Sequence, residues 1–263
     1  MFPTITILGR TFGSYTLLAT VGALIAGVYA MSMTRKRGGN DNHMLILLLL
    51  AAVGGVVGSH LLYGIVNFNA VRNAVQGSDK AWSLSYFWTI IQVLMGGSVF
   101  YGGLLGGLAV GVLYIRKKRL PLGETSDVAA PAIPLFHTFG RIGCFLGGCC
   151  YGVESGVGVI VHHALVEEAN NVRRFPVQLL EAGCNLALFF LLHWMLKRGR
   201  LKGHLLSLYL GLYALLRFGL EYLRGDSYRG FLGIFSTSQL ISMAILLALA
   251  VRMVLLLQKQ KKE

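Results

Sequence analysis

His137-Thr-Phe-Gly-Arg-Ile-Gly-Cys-Phe-Leu-Gly-Gly-Cys-Cys-Tyr-Gly152 combines an apolar setting, a charge and a run of glycines. It lies at the end of a strongly apolar segment and yet carries an arginine, Arg141. A charge at membrane depth costs at least about 2.5–3.5 kcal/mol on insertion scales. A chain keeps such a residue where the charge has a partner or a ligand. The glycines around it remove side-chain bulk, so backbone or substrate approaches closely. The stretch reads as a pocket for something anionic, sunk into a membrane.

The rest of the chain supports that setting. Of its 263 residues, 55% are hydrophobic and 13% are charged, against about 25% charged in soluble domains. Mean hydropathy is +0.63, and several apolar runs reach the roughly 20 residues that a spanning helix needs. The expected fold class is all-α, a polytopic membrane protein. A soluble dinucleotide-binding or barrel fold would need interspersed charge that this sequence lacks.

The net charge of +13 would suggest nucleic acid in a soluble protein. Here the cations sit at the ends of apolar runs: Arg35-Lys36-Arg37, Arg116-Lys117-Lys118-Arg119, Lys197-Arg198 with Arg200 and Lys202, and Arg252 with Lys259, Lys261 and Lys262. That is the positive-inside pattern, with attraction to anionic lipid as a by-product. No aromatic-basic groove is present, so no nucleic-acid partner is expected. The N-terminus lacks the charged region and cleavage site of a signal peptide, so the first apolar run reads as a retained helix. Cys144, Cys149, Cys150 and Cys184 form no disulfide framework, and no pair of CxxC motifs points to zinc. Neither a metal nor a cofactor is expected.

Seven spans are expected, near 11–33, 43–66, 91–115, 127–147, 176–196, 203–223 and 234–256. The basic clusters follow spans one, three, five and seven. Seven helices with the N-terminus outside put all four clusters and the C-terminus in the cytoplasm; an even count would break the alternation. Residues 67–90, with Asn67, Asn69, Arg72, Lys80, Trp82, Tyr86 and Trp88, read as an external interfacial arm. Residues 148–175 read as an external cap loop, and 224–233 as a short third loop. With no repeat of fixed period, residues 1–263 are expected to form a single transmembrane domain.

Few titratable groups fall at membrane depth. Span six ends in Arg217-x-x-x-Glu221-x-x-Arg224-x-Asp226, which places 217, 221 and 224 on one helical face. Glu181 stands at the start of span five, after Pro176 and Gln178. Arg141, Glu181, Arg217, Glu221 and Arg224 are therefore expected to converge at one level. Two readings compete: a structural salt-bridge network, and an anion site, since arginine offers a planar fork of donors suited to phosphate.

Other groups have similar pairs of readings. Gly102/Gly106 and Gly103/Gly107 are GxxxG pairs, suited to close helix packing or to a cavity wall beside Tyr101. Tyr15 near the outer start of span one is comparable. His137, one turn before Arg141 on the same face, is a candidate base; His60 in span two is a weaker one. His162-His163 with Glu167 and Glu168 read as solvated surface rather than a metal site. Cys149-Cys150 read as nucleophiles or small packing residues. Cys144 lies three residues from Arg141 and faces the same pocket, while Cys184 reads as packing.

At these positions the chain resembles the prolipoprotein diacylglyceryl transferase family. The family's Gly-Arg-Ile/Leu-Gly-Asn-Phe run stands here as Gly140-Arg-Ile-Gly-Cys-Phe, closing at Tyr151-Gly152. Its Asp-x-x-x-Pro run matches Asp127 to Pro131, and its Pro-x-Gln-Leu-x-Glu motif matches Pro176, Gln178, Leu179 and Glu181. Its Arg-x-x-x-Glu-x-x-Arg motif matches Arg217, Glu221 and Arg224. Its His-Gly-Gly-Leu run stands as Tyr101-Gly-Gly-Leu. Three positions depart from the family: Tyr101 for histidine, Cys144 for asparagine and Cys149 for an acidic residue.

The resemblance implies transfer of a diacylglyceryl group from phosphatidylglycerol to the lipobox cysteine of a prolipoprotein, with release of glycerol phosphate, in the bacterial plasma (inner) membrane. The partners it implies are phosphatidylglycerol and a prolipoprotein signal peptide or other lipid-modified acceptor. The expected catalytic residues are His137, Arg141, Arg217 and Tyr101. Substrate contact is expected from Tyr15, Gly102, Gly103, Cys144, Cys149, Gly152, Glu181, Glu221 and Arg224. The competing functions are a related transferase with another acceptor, using Cys149 or Cys150 as a covalent relay, and a transporter or flippase for anionic lipid. The paired broken helices of a transporter are not evident.

Overall fold

The computed structural model describes residues 1–76, 84–97, 99–164, 166–226 and 231–260. Of the expectations above, Lys80, Trp82, Lys261 and Lys262 lie outside the described residues. The chain divides into two compact units, one of residues 1–33 and 126–263, the other of residues 34–125.

In the first unit a hairpin of β1 (Thr4–Ile7) and β2 (Arg10–Gly13) leads into helix α1 (Ser14–Lys36). In the second, α2 (Asp41–Val66) is followed by the short α3 (Phe68–Gln76), α4 (Leu84–Met95) and α5 (Phe100–Lys117). The chain then forms α6 (Leu122–Ala129) and α7 (Ala132–Gly147), a hairpin of β3 (Glu154–Ile160) and β4 (Arg173–Arg174), and α8 (Val177–Lys197). Helix α9 (Leu205–Leu220), a last small hairpin of β5 (Phe231–Leu232) and β6 (Phe235–Ser236), and α10 (Thr237–Gln260) complete it.

Four helices, α1, α2, α8 and α10, are each long and apolar enough to cross a bilayer. Their faces carry exposed leucine, valine and isoleucine, such as Leu24, Val28, Leu49, Val53, Leu247 and Val251, as suits helices solvated by lipid. The other three expected spans are interrupted. The third breaks into α4, which ends at Met95 before Gly96 and Gly97, and α5, which starts at Phe100. The fourth breaks into α6 and α7 at Pro131, where proline lacks the N–H that a continuous helix needs. The sixth is α9 followed by a 3-10 turn at Glu221–Leu223. Small two-stranded sheets thus join the helical framework, and the expected cap 148–175 is built on one of them.

Within the second unit, α2 and α5 are in backbone contact. A Cβ on Gly102 would lie 2.3 Å from the Gly58 carbonyl oxygen, and one on Gly106 would lie 2.3 Å from that of Gly54. Gly103 faces the Gly55 carbonyl at 3.2 Å on the same basis. The GxxxG pairs are therefore a packing seam, as in small-residue helix interfaces generally. His60 Nδ1 lies 3.0 Å from the Leu94 carbonyl oxygen and 2.7 Å from that of Gly97. Carbonyls only accept, so this nitrogen donates. His60 thereby ties α2 to the break after α4, where helix-terminal carbonyls need partners.

Within the first unit, Asp127 is buried and its carboxylate accepts from the backbone N–H of Gly203 and, at 2.8 Å, of Leu205. It satisfies orphan donors at the start of α9 and adds negative charge where the helix dipole favours it. Helix α7 packs on α8, and α9 on α10. Gly22 lets α1 approach Phe139 of α7; a Cβ there would fall 2.6 Å from the Phe139 Cβ.

Candidate functional site

Three helices of the first unit bring the expected charges together. Glu181, on the first turns of α8, is the hub and only 2% exposed. Its Oε1 lies 3.1 Å from Arg141 Nε on α7 and accepts a hydrogen bond from Tyr213 on α9, also at 3.1 Å. Its Oε2 lies 4.0 Å from Arg217 Nη1 on α9. Arg217 Nη2 is 2.9 Å from Glu221 Oε2 and donates to the Ser238 hydroxyl on α10 at 3.1 Å. Arg141, Glu181, Arg217 and Glu221 thus form one continuous network, as the sequence spacing anticipated.

Two arginines and two glutamates sum to no net charge. Arg217 Nη1 is buried and makes no hydrogen bond to the described residues. In a low-dielectric surrounding, an oriented donor of this kind is worth far more than in water.

Arg224 is placed differently from the sequence expectation. Helix α9 ends at Leu220, and Arg224 follows the 3-10 turn in an extended conformation. It leaves the Arg217–Glu221 face and pairs with Asp226, Nε to Oδ1 at 2.9 Å. Burial works against its positive charge, but Asp226 outweighs burial and raises the guanidinium pKa above its ordinary value. The backbone of Arg224 bridges to Gly152. A Cβ on Gly152 would sit 2.1 Å from the Phe175 carbonyl oxygen, so this glycine lets the start of the cap cross the neighbouring backbone.

His137 is buried, with Nδ1 3.2 Å from the Tyr209 hydroxyl and its ring 5.1 Å from the ring of Tyr213. It therefore adjoins the tyrosine that serves Glu181. Tyr15, at the start of α1, lies against Gly143 of α7, where a Cβ would fall 3.0 Å from the Tyr15 Cα. Cys144 is buried, and Cys149 is half-buried with its carbonyl accepting from Gln178 Nε2 at 2.9 Å. Tyr101, Gly102 and Gly103 belong to the second unit; Tyr101 is buried there and the two glycines lie in the α2–α5 seam.

The cap over residues 148–175 is held by Arg174. It donates to the backbone carbonyls of Ala169, Gly152 and Glu168, and its guanidinium stands 4.3 Å above the Tyr151 ring. Burial, with Glu168 adding to it, pushes the Tyr151 phenol above its ordinary pKa. The Met1 ammonium donates to the His162 carbonyl at 2.7 Å, and His162 Nδ1 lies 3.1 Å from Asn171. His162 is thus engaged by the cap itself.

Sequence reasoning missed Tyr209, Tyr213 and Ser238. The signal for the tyrosines was present: positions 209, 213, 217 and 221 recur at i,i+4, which places them on one face. It also missed that Cys144, Cys149 and Cys150 come together, their sulfurs all within 4.8 Å of one another.

Apolar helices of spanning length around a buried, alternating charge network define a polytopic helical membrane protein. The model of the family described as prolipoprotein diacylglyceryl transferase matches residues 3–255. The chain is 32% identical over 237 residues to the phosphatidylglycerol–prolipoprotein diacylglyceryl transferase of Clostridium tetani, covering 89% of each chain. It is 31% identical over 247 residues to a second such transferase, from Clostridium perfringens, covering 92% of this chain and 91% of that one. With the transferase of Legionella pneumophila it shares 29% identity over 245 residues, 90% and 88% of the two chains. The chain belongs to the prolipoprotein diacylglyceryl transferase family.

Proposed function

We propose that this protein moves the diacylglyceryl group of phosphatidylglycerol onto the thiol of a lipobox cysteine in a prolipoprotein. The observation that carries the reading is Glu181 gripping Arg141 and Arg217 from two different helices. That grip fixes two planar donor forks beside one another at a buried position, where a phosphodiester is the fitting guest.

The acceptor thiol loses its proton to His137, and the sulfur attacks the glycerol carbon that carries the phosphate. A carbon–sulfur bond forms, the carbon–oxygen bond breaks, and glycerol phosphate leaves with the bonding pair. Charge grows on the phosphate as the bond breaks. Arg141 and Arg217 stabilise that charge, and Arg217 Nη1, buried and without a hydrogen bond to the described residues, supplies a donor. Glu221, with Ser238, holds Arg217 in place. Tyr15, Cys144 and Cys149 line the approach to Arg141. Arg224 and Gly152 shape the site's mouth.

The protein is proposed to act as one membrane domain of seven spans in the bacterial plasma membrane, with the N-terminus and cap outside and the basic clusters and C-terminus in the cytoplasm. The test is conversion of labelled phosphatidylglycerol in proteoliposomes containing a lipobox peptide. Thioether-linked diacylglyceryl peptide and free glycerol phosphate in equal amounts are expected. Movement of the lipid between leaflets without either product would make the protein a transporter and refute the reading.

A further inference from the structure

Cys144, Cys149 and Cys150 are brought together by the end of α7. The helix closes at Gly147, and Gly148 takes the left-handed conformation at φ 72°. The backbone N–H of Cys149 donates to the Cys144 carbonyl at 3.2 Å, which turns the chain back over the last helical turn. Cys150 then adopts φ 54°, a left-handed conformation that costs a non-glycine residue roughly 1–2 kcal/mol. The result is three cysteine side chains turned to one point, with their sulfurs all within 4.8 Å of one another. Packing alone needs no such convergence, and none of the three is in a disulfide.

A metal held by three sulfurs at about 2.3 Å in a trigonal plane needs sulfurs about 4.0 Å apart. The cluster reaches that spacing with shifts below an ångström. Among the described residues no histidine, aspartate or glutamate joins the group to complete a tetrahedron. An all-sulfur, three-coordinate site suits a soft d10 ion over one that prefers four ligands or oxygen. Three thiolates around a monovalent cation carry two net negative charges.

We propose that Cys144, Cys149 and Cys150 form a binding site for one soft d10 cation, with cuprous copper as the ion it fits best. Binding exchanges the three thiol protons for one Cu(I) and requires no change of oxidation state. Cys144 lies one helical turn from Arg141, so the cluster adjoins the proposed approach to that arginine.

The test uses the full-length protein, reduced and purified in detergent. Cu(I) is titrated anaerobically against a chromophoric Cu(I) chelator, and X-ray absorption then reads the ligands. One Cu(I) per chain is expected, with three sulfur neighbours at about 2.3 Å. Cys150→Ser should weaken binding by more than the ~10–100-fold typical of changes around a metal's ligands, and Cys184→Ser should leave it unchanged. A measurement without substitutions guards against misfolded variants: in the unaltered chain, Cu(I) should shield Cys144, Cys149 and Cys150 from alkylation while Cys184 still reacts. Failure to take copper from the chelator, nitrogen or oxygen ligation, or equal shielding of Cys184 would each overturn the assignment.

Discussion

Arg141 Nε lies 3.1 Å from Glu181 Oε1, a contact between α7 and α8 inside an apolar helical unit. The same carboxylate reaches Arg217 from its other oxygen. Removing one member of a buried ion pair leaves an uncompensated charge and costs about 3–5 kcal/mol. Glu181→Ala is therefore expected to lower thermal stability clearly. Glu181→Gln keeps the shape but loosens both arginines, so turnover per folded molecule should fall while the protein remains extractable. Melting and turnover measured on the same preparations check this; a Gln variant with unaltered turnover would show the network to be structural only.

His137 and Tyr101 give opposite expectations for the base. Imidazole is the side chain most often used as a general base. General-base catalysis is worth about 10²–10⁴-fold. His137→Gln should cut turnover by that order and leave phospholipid binding nearly unchanged, with Tyr101→Phe doing less. An inactive Tyr101→Phe beside a normal His137→Gln would move the base role to the tyrosine.

Asp127 caps the start of α9. Loss of such a cap costs about 0.5–2 kcal/mol. Asp127→Ala should reduce melting temperature while keeping its turnover per folded molecule. Equal loss of turnover in material shown to be folded would give Asp127 a part in the reaction.

The α2–α5 seam predicts sharp steric limits. Gly106→Val places a branched side chain where even a Cβ would meet the Gly54 carbonyl oxygen. Expression and detergent stability should collapse, whereas Gly27→Ala, on an open position with nothing within 4 Å, should be tolerated. Similar behaviour of the two variants would remove the seam's structural role.

Much of the site was legible because spacing alone fixes helical faces. Arg217 and Glu221 at i,i+4, and Arg141 and Glu181 at like depths on their spans, pointed to one network before any coordinates. Arg224 was not legible, because nothing local announces that α9 tightens into a 3-10 turn and sends it to Asp226. Pro131 marked the break in the fourth span, but a hydropathy run reads through it. The hairpins at 4–13 and 154–174 were missed because their strands are short and their pairing is decided by the helices that flank them. The thiol cluster was hidden for a different reason: a left-handed residue at Cys150 cannot be read from its identity.

Arg141 and Arg217 are proposed to hold the phosphate of the donor lipid together. This is tested most directly by turnover of labelled phosphatidylglycerol by Arg141→Ala and Arg141→Lys in proteoliposomes, with folding followed alongside. Both variants are expected to fold; Ala should abolish thioether formation, and Lys should restore little of it because a single ammonium lacks the planar fork. Turnover at the unaltered protein's level by a folded Arg141→Ala variant would contradict the account.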